Sequence, residues 1–365
     1  MSVRKIRVAV VFGGRSPEHP ISCVSAGCVL AALDPDEFEV VPIGITREGR
    51  WVLADGDPQR LAITDRGLPE ITSGTGAEVI LPAAPASRGL VVRDATEGVR
   101  ALGEVDVVFP LLHGAYGEDG TIQGLLELAG IPYVGAGVFA SAAAMDKEFA
   151  KRLTVAAGIP STPYVVLRPG ASLSEADQQR LKLPVFVKPA RAGSSFGITK
   201  VTDWSQLEEA IAVAREIDPK VLVEQGVDGR EIECGVLEGE YGGEPEVSTL
   251  AEIRIGGGRE FYDFEAKYLE DVCEFDIPAD LPPEVTATIQ RYAAMTFTTL
   301  DCAGLARVDF FVTPDYQIYL NEINTMPGFT PHSMFPRMWA ESGLPYSKLV
   351  SRLVRTALRR GSRLR

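Results

Sequence analysis

The segment from Gly304 to Ser333 reads GLARVDFFVTPDYQIYLNEINTMPGFTPHS. Its first apolar run, Leu305 to Val312, alternates and breaks at Thr313-Pro314-Asp315; a second run resumes from Gln317 to Asn324. That pattern predicts a β-hairpin. Side chains alternate across a strand, so Arg307 and Asp309 share one face, as do Glu322 and Asn324. A turn near Pro314 brings both pairs to the same surface. Two carboxylates and a carboxamide are hard oxygen donors of the kind Mg²⁺ takes when it also binds nucleotide phosphates. A solvated polar face with surface ion pairs would read the same way. The next residues, Asn324-Thr325-Met326-Pro327-Gly328-Phe329-Thr330, favour the Mg²⁺-ATP reading, because a Pro-Gly turn beside the acids can aim backbone N–H groups at an anion.

The chain of 365 residues suits two or three α/β domains. A net charge of −14 argues against nucleic acid or an anionic membrane as the main partner, so bound phosphates need local Lys and Arg. The five cysteines, Cys23, Cys28, Cys234, Cys273 and Cys302, are scattered without C-x-x-C spacing, which suggests neither a disulfide framework nor a zinc site and fits a reducing cytoplasm. The start, MSVRKIRVAVVFGG, reads as a first strand rather than a cleaved leader, and no stretch approaches a membrane span.

Lys5 to Phe12 predicts a strand, followed by Gly13-Gly14-Arg15-Ser16-Pro17-Glu18-His19 and a helix. G-x-G-x-x-G is absent, which disfavours a dinucleotide fold. Glu18 lies at a helix start, where it either complements the dipole or receives an ammonium group. Phe38 to Thr46 is a second strand. Residues 55 to 100, rich in Gly, Pro, Asp and Ser, predict a long insertion with short strands and no function of their own.

Asp106 to Leu112 is a buried strand ending in His113-Gly114-Ala115-Tyr116-Gly117-Glu118-Asp119-Gly120, and open α/β sheets bind ligands at such strand ends. His113 reads equally as a structural residue, but its flanking glycines allow close approach to a ligand. Met145 to Ala157 predicts an amphipathic helix carrying Asp146 and Lys147. Pro184 to Pro189 is a strand carrying Lys188, followed by the small-residue loop Ala190 to Gly197, which is not a Walker A sequence. Helices are expected at Trp204 to Glu216, Glu284 to Leu300, Pro336 to Ser342 and Tyr346 to Arg359. Strands are expected at Val221 to Gln225, Arg230 to Val236, Ala251 to Ile255 and Phe261 to Tyr268.

Taken in order, these blocks resemble the D-alanine–D-alanine ligases of the ATP-grasp superfamily: Gly13-Gly14 with Ser16 and Glu18, HGAYGEDG, Met145-Asp146-Lys147, KPARAGSSFG, EAKY, ARVDFF and NEINTMPGFTPHS. The resemblance runs from about residue 5 to 355 and fits the insertion poorly. It implies an α/β fold, α+β in the C-terminal half, with three-domain ATP-grasp architecture. The first domain, residues 1 to 135, would be doubly wound with a mainly parallel sheet; the others would be 136 to 224 and 225 to 365.

The resemblance also implies roles. ATP would contact Glu224, Val227, Glu231, Tyr262 and Lys267, with Lys147 and Lys188 on its phosphates and the Ser194-Ser195 loop closing over them. Asp309, Glu322 and Asn324 would hold two Mg²⁺ (or Mn²⁺). Glu18, Ser194, Tyr268, Arg307 and the Gly328 N–H would be catalytic, and His113, Ser333 and Met334 would bind substrate. The implied reaction makes D-alanyl-D-alanine for the cell wall through an acyl phosphate, in a cytoplasmic homodimer. Rival readings are a D-alanine–D-lactate or D-alanine–D-serine ligase, and a non-catalytic nucleotide-binding regulator. Tyr268 favours an amine acceptor over D-lactate, because relatives that make the ester tend to lack it.

Overall fold

The computed structural model describes residues 4–64, 67–72, 74, 76–81, 89–94, 98–255 and 273–362. Strand β1 (Ile6–Gly13) is apolar on both faces. Val8, Val10 and Phe12 enter one hydrophobic cluster, and Ala9 and Val11 enter another. A strand buried on both sides needs cover on both sides. Helix α1 (His19–Ala32) supplies Cys23, Ala26 and Val29 to the first cluster, and α2 (Thr121–Ala129) supplies Ile122, Leu126 and Ala129 to the second. This is a doubly wound centre.

The sheet also contains β2 (Phe38–Ile45), β3 (Trp51–Leu53), β4 (Glu78–Ile80), β5 (Gly89–Asp94), β6 (Gly98–Glu104) and β7 (Val107–Leu111), in the order β6-β5-β4-β3-β2-β1-β7. Only β2, β1 and β7 run parallel. The strands β3 to β6, drawn largely from the insertion, pair antiparallel, so the expectation of a mainly parallel sheet is corrected. Short turns can join only antiparallel neighbours, whereas each parallel pair needs a crossover of a dozen or more residues.

Helix α4 (Lys147–Ala156) is the helix expected from Met145 to Ala157, and α3 (Val138–Met145) precedes it as a helix that was not expected. Asp146 is extended between them, and its side chain accepts the Glu148 N–H as an N-cap. Next come β8 (Tyr164–Leu167), α5 (Glu175–Leu181), β9 (Val185–Pro189), β10 (Thr199–Val201), α6 (Leu207–Ile217) and β11 (Val221–Gln225). The second sheet is antiparallel in the order β10-β9-β11-β8. Leu207, Ala210, Ile211 and Ala214 of α6 cover Val185, Val187, Val201, Val221 and Val223.

The third sheet runs β14-β13-β12-β15-β16. Its strands are β12 (Arg230–Leu237), β13 (Glu246–Ile255), β14 (Cys273–Asp276), β15 (Leu305–Val312) and β16 (Ile318–Asn324), with α7 (Pro283–Thr299) across one face. Ala143 and Ala144 of α3 and Ile159 join that same cluster, so this part of the chain packs on the third sheet. The chain ends with α8 (Met334–Glu341) and α9 (Tyr346–Arg360).

Leu349, Val350, Leu353, Val354 and Ala357 of α9 share a core with Val8, Val10 and Phe12 of β1 and with Leu237 and Leu305 of the third sheet. Burying each large aliphatic side chain is worth about 1.5–3 kcal/mol. The first and third sheets are therefore joined through one core, while the second sheet has its own. Among the described residues, no helix is long and apolar enough to cross a membrane.

Candidate active site

A cleft of about 710 Å³ opens between the second and third sheets. Lys147, Lys188, Ser194, Ser195, Glu224, Val227, Glu231, Arg307, Asp309 and Glu322 line it. The hairpin aligns Arg307 with Asn324 and Asp309 with Glu322, as alternation predicts, with a one-residue irregularity after Asp309. Arg307 grips Asp309 with two hydrogen bonds, of 2.8 Å from Nε and 2.7 Å from Nη2. Its Nε also lies 3.1 Å from Glu233 Oε1. Burial works against the guanidinium charge, but Asp309 and Glu233 outweigh it and hold Arg307 more firmly protonated than usual. Glu233 is opposite Asp309 on β12, and alternation from Glu231 puts both acids on this face.

Asn324 Nδ2 donates to Asp309 Oδ2 at 2.9 Å, and Glu322 Oε2 lies 3.5 Å from Lys147 Nζ. Asp309, Glu322 and Asn324 are thus neighbours whose oxygen donors suit a hard divalent ion. Among the described residues, no three His, Cys, Asp or Glu side chains form a ready-made metal cluster. Asp309 is engaged by Arg307 and Asn324 and would have to share its oxygens with an ion.

Lys188 pairs with Glu224, and Lys151 Nζ sits 2.5 Å from the other Glu224 oxygen. All three side chains are almost fully buried. Burial opposes the Glu224 charge, yet Lys151 and Lys188 together hold its carboxyl below the ordinary value. Glu224 therefore lines the cleft as an anion shared by two lysines. Lys147 Nζ donates to Ala192 O at 2.7 Å, and its backbone N–H donates to Ala190 O at 3.0 Å, so the lysine is tied to the small-residue loop. Ser194 and Ser195 in that loop both have left-handed backbones, with φ of 47° and 58°.

The first sheet contributes Glu18, which is buried and accepts a hydrogen bond from Ser194 Oγ. A Cβ on Gly114 would lie 2.4 Å from Glu18 Oε2, and Gly114 has φ +74°, so this position requires glycine. His113, for which the resemblance implies a substrate contact, is buried just beyond β7. Its Nδ1 is 3.0 Å from Met326 O and its Nε2 is 3.1 Å from Ser25 Oγ, so both ring nitrogens are committed to the protein. Burial also lowers the pKa of His113, which favours the neutral ring. Glu118 accepts the Met326 N–H at 3.0 Å and the Gly114 N–H at 2.8 Å. His113 and Glu118 together brace the Met326 peptide, two residues before Gly328.

Ser333 occupies the N-cap position of α8 without a side-chain capping bond, and its Oγ instead accepts the Thr330 N–H at 3.1 Å. The Met334 side chain is buried with Ala251 and Met338, and its backbone opens α8. Tyr262, Lys267 and Tyr268 lie outside the described residues, as does the strand expected at Phe261 to Tyr268.

Sequence reasoning missed Lys151, Glu118, Glu233 and Lys220. Lys220 Nζ lies 2.6 Å from Asp146 Oδ1 and 3.0 Å from Glu148 Oε2 beneath Lys147. Alternation could have revealed Glu233, and the glycine-flanked block could have revealed Glu118. Lys151 and Lys220 carried no local signal, because their acidic partners are more than 70 residues away.

A family model described as "D-ala D-ala ligase N-terminus" matches residues 7–136, and one described as "D-ala D-ala ligase C-terminus" matches residues 153–355. A D-alanine–D-alanine ligase of Mycobacterium avium (strain 104) is 59% identical over 367 residues, covering 99% of each chain. Among solved structures, the VanG D-Ala:D-Ser ligase from Enterococcus faecalis superposes with a TM-score of 0.82 at 36% identity, covering 97% of this chain and 100% of that one. The D-alanine–D-alanine ligase from Coxiella burnetii superposes with a TM-score of 0.81 at 34% identity, covering 98% of this chain and 95% of that one.

Proposed function

This chain belongs to the D-alanine–D-alanine ligase family, and from that premise we infer that it joins two molecules of D-alanine, with ATP as the second substrate, for peptidoglycan synthesis. The observation that carries the reading is the Ser194–Glu18 hydrogen bond. It brings a cleft with two phosphate-competent lysines and a buried carboxylate into one continuous site.

A carboxylate oxygen of the first D-alanine attacks the γ-phosphorus of ATP, ADP leaves, and an acyl phosphate remains. The amine of the second D-alanine attacks the acyl carbon, loses its proton and expels phosphate. Glu18 holds the first ammonium, while Lys147 and Lys188 hold phosphate oxygens. Glu224, Val227 and Glu231 serve the nucleoside, and Ser194 and Ser195 close over the phosphates. Arg307 and the Gly328 N–H stabilise the tetrahedral oxyanion, a role worth about 3 kcal/mol per donor. Ser333 and the start of α8 receive the second carboxylate. Asp309, Glu322 and Asn324 would hold two Mg²⁺ (or Mn²⁺), whose charge offsets that of the phosphates. Tyr262, Lys267 and Tyr268 keep the roles that the resemblance implies, with D-alanine preferred over D-lactate.

Three units divided near residues 135 and 224 are supported by the separate sheets, with α9 returning to the first. Reducing conditions suit the free thiols of Cys23, Cys28, Cys234 and Cys302, which supports a cytoplasmic location, and a homodimer is the assembly that the resemblance implies. Incubation with ATP, Mg²⁺ and D-alanine should yield ADP, phosphate and D-alanyl-D-alanine in equal amounts by mass spectrometry. ATP consumption without dipeptide, or no turnover at all, would refute the reading.

A further inference from the structure

His19 is fully buried beside Glu18 and makes two hydrogen bonds. Its Nε2 accepts the Ile71 N–H at 3.0 Å, so the ring hydrogen sits on Nδ1, which donates to Gly14 O at 2.7 Å. Ile71 belongs to the insertion, 52 residues away. It is itself buried in the first-sheet core, where a Cβ on Gly44 would meet it at 2.8 Å. Arg47, two residues beyond β2, pairs with Glu70 at 2.8 Å, next to Ile71 in the same segment.

The loop from Gly14 to Glu18 depends on this ring. Gly13 has φ +88°, and a Cβ there would lie 3.0 Å from His19 Cε1 and 2.4 Å from Ile45 O. Gly14 N–H donates to Ile45 O at 2.8 Å, His19 N–H to Ser16 O at 3.1 Å, and Glu18 N–H to Ser16 Oγ at 2.9 Å. These bonds tie the loop to itself and to β2, and His19 adds a bond that reaches the insertion.

We propose that His19 is a positioning residue for the first amino-acid subsite, gripping the Gly14 carbonyl and the Ile71 amide so that the loop holds the Glu18 carboxylate where the ammonium of D-alanine arrives. This rests on the reading that Glu18 receives that ammonium. The insertion then has a purpose in catalysis: its Ile71 peptide is the fixed point of the latch.

The test uses the full chain and measures KM for D-alanine at the first subsite, KM for ATP, kcat and the melting temperature. His19→Phe keeps a ring but loses both bonds, and should raise the first-subsite KM roughly tenfold, because small misplacement of a binding group is costly, with KM for ATP unchanged. His19→Asn retains a donor for Gly14 O and should recover part of the loss. Glu18→Gln is the control on the underlying reading. If Glu18→Gln raises the first-subsite KM but a folded His19→Phe matches wild type, the latch is wrong and the reading of Glu18 survives. If Glu18→Gln leaves that KM unchanged, the reading of Glu18 fails and the latch fails with it. Equal rises in KM for ATP and D-alanine would mean general loosening and would also overturn the proposal. Should His19→Phe not fold, His19→Asn and His19→Gln, each keeping one bond, decide the matter: wild-type first-subsite KM in both rejects the latch, and a selective rise in both upholds it.

Discussion

Ser194 Oγ donates a hydrogen bond to Glu18 Oε1, joining positions 176 residues apart. The loop that follows Lys188 is thereby docked on a carboxylate from the first sheet, and the nucleotide cleft and amino-acid end meet at one contact. Ser194→Ala should lower kcat/KM for D-alanine by roughly tenfold, as expected when a hydrogen bond to a charged group is lost. The melting temperature should hardly change, because the loop is half-exposed. Steady-state kinetics beside a thermal melt checks both; unchanged kinetics would remove Ser194 from the site.

Asp309→Asn and Glu322→Gln should each abolish most turnover across a range of Mg²⁺ concentrations. Their stabilities should differ. Asp309 neutralises buried Arg307 together with Glu233, whereas the Glu322 side chain is 27% exposed. Asp309→Asn should cost about 1–3 kcal/mol of stability, the usual range when a buried charge loses a charged partner but keeps a polar one. Glu322→Gln should cost little. Urea unfolding of both variants tests the contrast, and wild-type turnover in either would end the metal assignment.

Lys151→Met should destabilise the protein by about 3 kcal/mol, because it strips a buried carboxylate of one of its two cations. The acid dependence follows from the lowered carboxyl pKa of Glu224. A depressed pKa contributes stability that is present above the unfolded value of 4.5 and is lost as pH falls below it toward the folded value. In Lys151→Met that acid-sensitive contribution shrinks, so the stability difference between wild type and variant should narrow below pH 4.5. A constant difference from pH 7 to pH 3 would contradict the assignment.

Burial, with the nearby Glu18 charge, pushes the Glu118 carboxyl up to about 8. Here the sign reverses. A raised pKa contributes stability that is complete below the unfolded value of 4.5 and fades as pH climbs through about 8. Glu118→Gln does not titrate, so the stability of wild type relative to this variant should fall as pH rises from 4.5 to 8. Parallel melting curves at pH 5, 6.5 and 8 give the comparison; identical pH slopes would show that Glu118 does not titrate in this window.

The acidic hairpin was legible because strand periodicity is local: Arg307, Asp309, Glu322 and Asn324 had to share a face once a turn lay near Pro314. Lys188 at a strand end before a small-residue loop was legible for the same reason. Helix α3 was not, because its small-residue run VFASAAAM carries no polar face to mark a helical period before the Asp146 cap. His113 was ambiguous by residue type, since an imidazole binds ligands and peptide groups equally well; its partner Met326 O lies 213 residues on, beyond the reach of any local pattern.

The sequence by itself determined the central strands of each sheet, which faces of the hairpin carry acids, and, through the order of its motifs, the family. Those properties depend on neighbours a few residues apart, within reach of periodicity and turn chemistry. Only the tertiary structure decided that Glu224 is shared by Lys151 and Lys188, that α9 returns to the first sheet, and that Ile71 of the insertion meets His19. Each of these puts a charge, an apolar face or a backbone donor against a group far along the chain. Burial makes such pairings matter, since an unpaired polar group inside the protein costs more than the bond itself contributes.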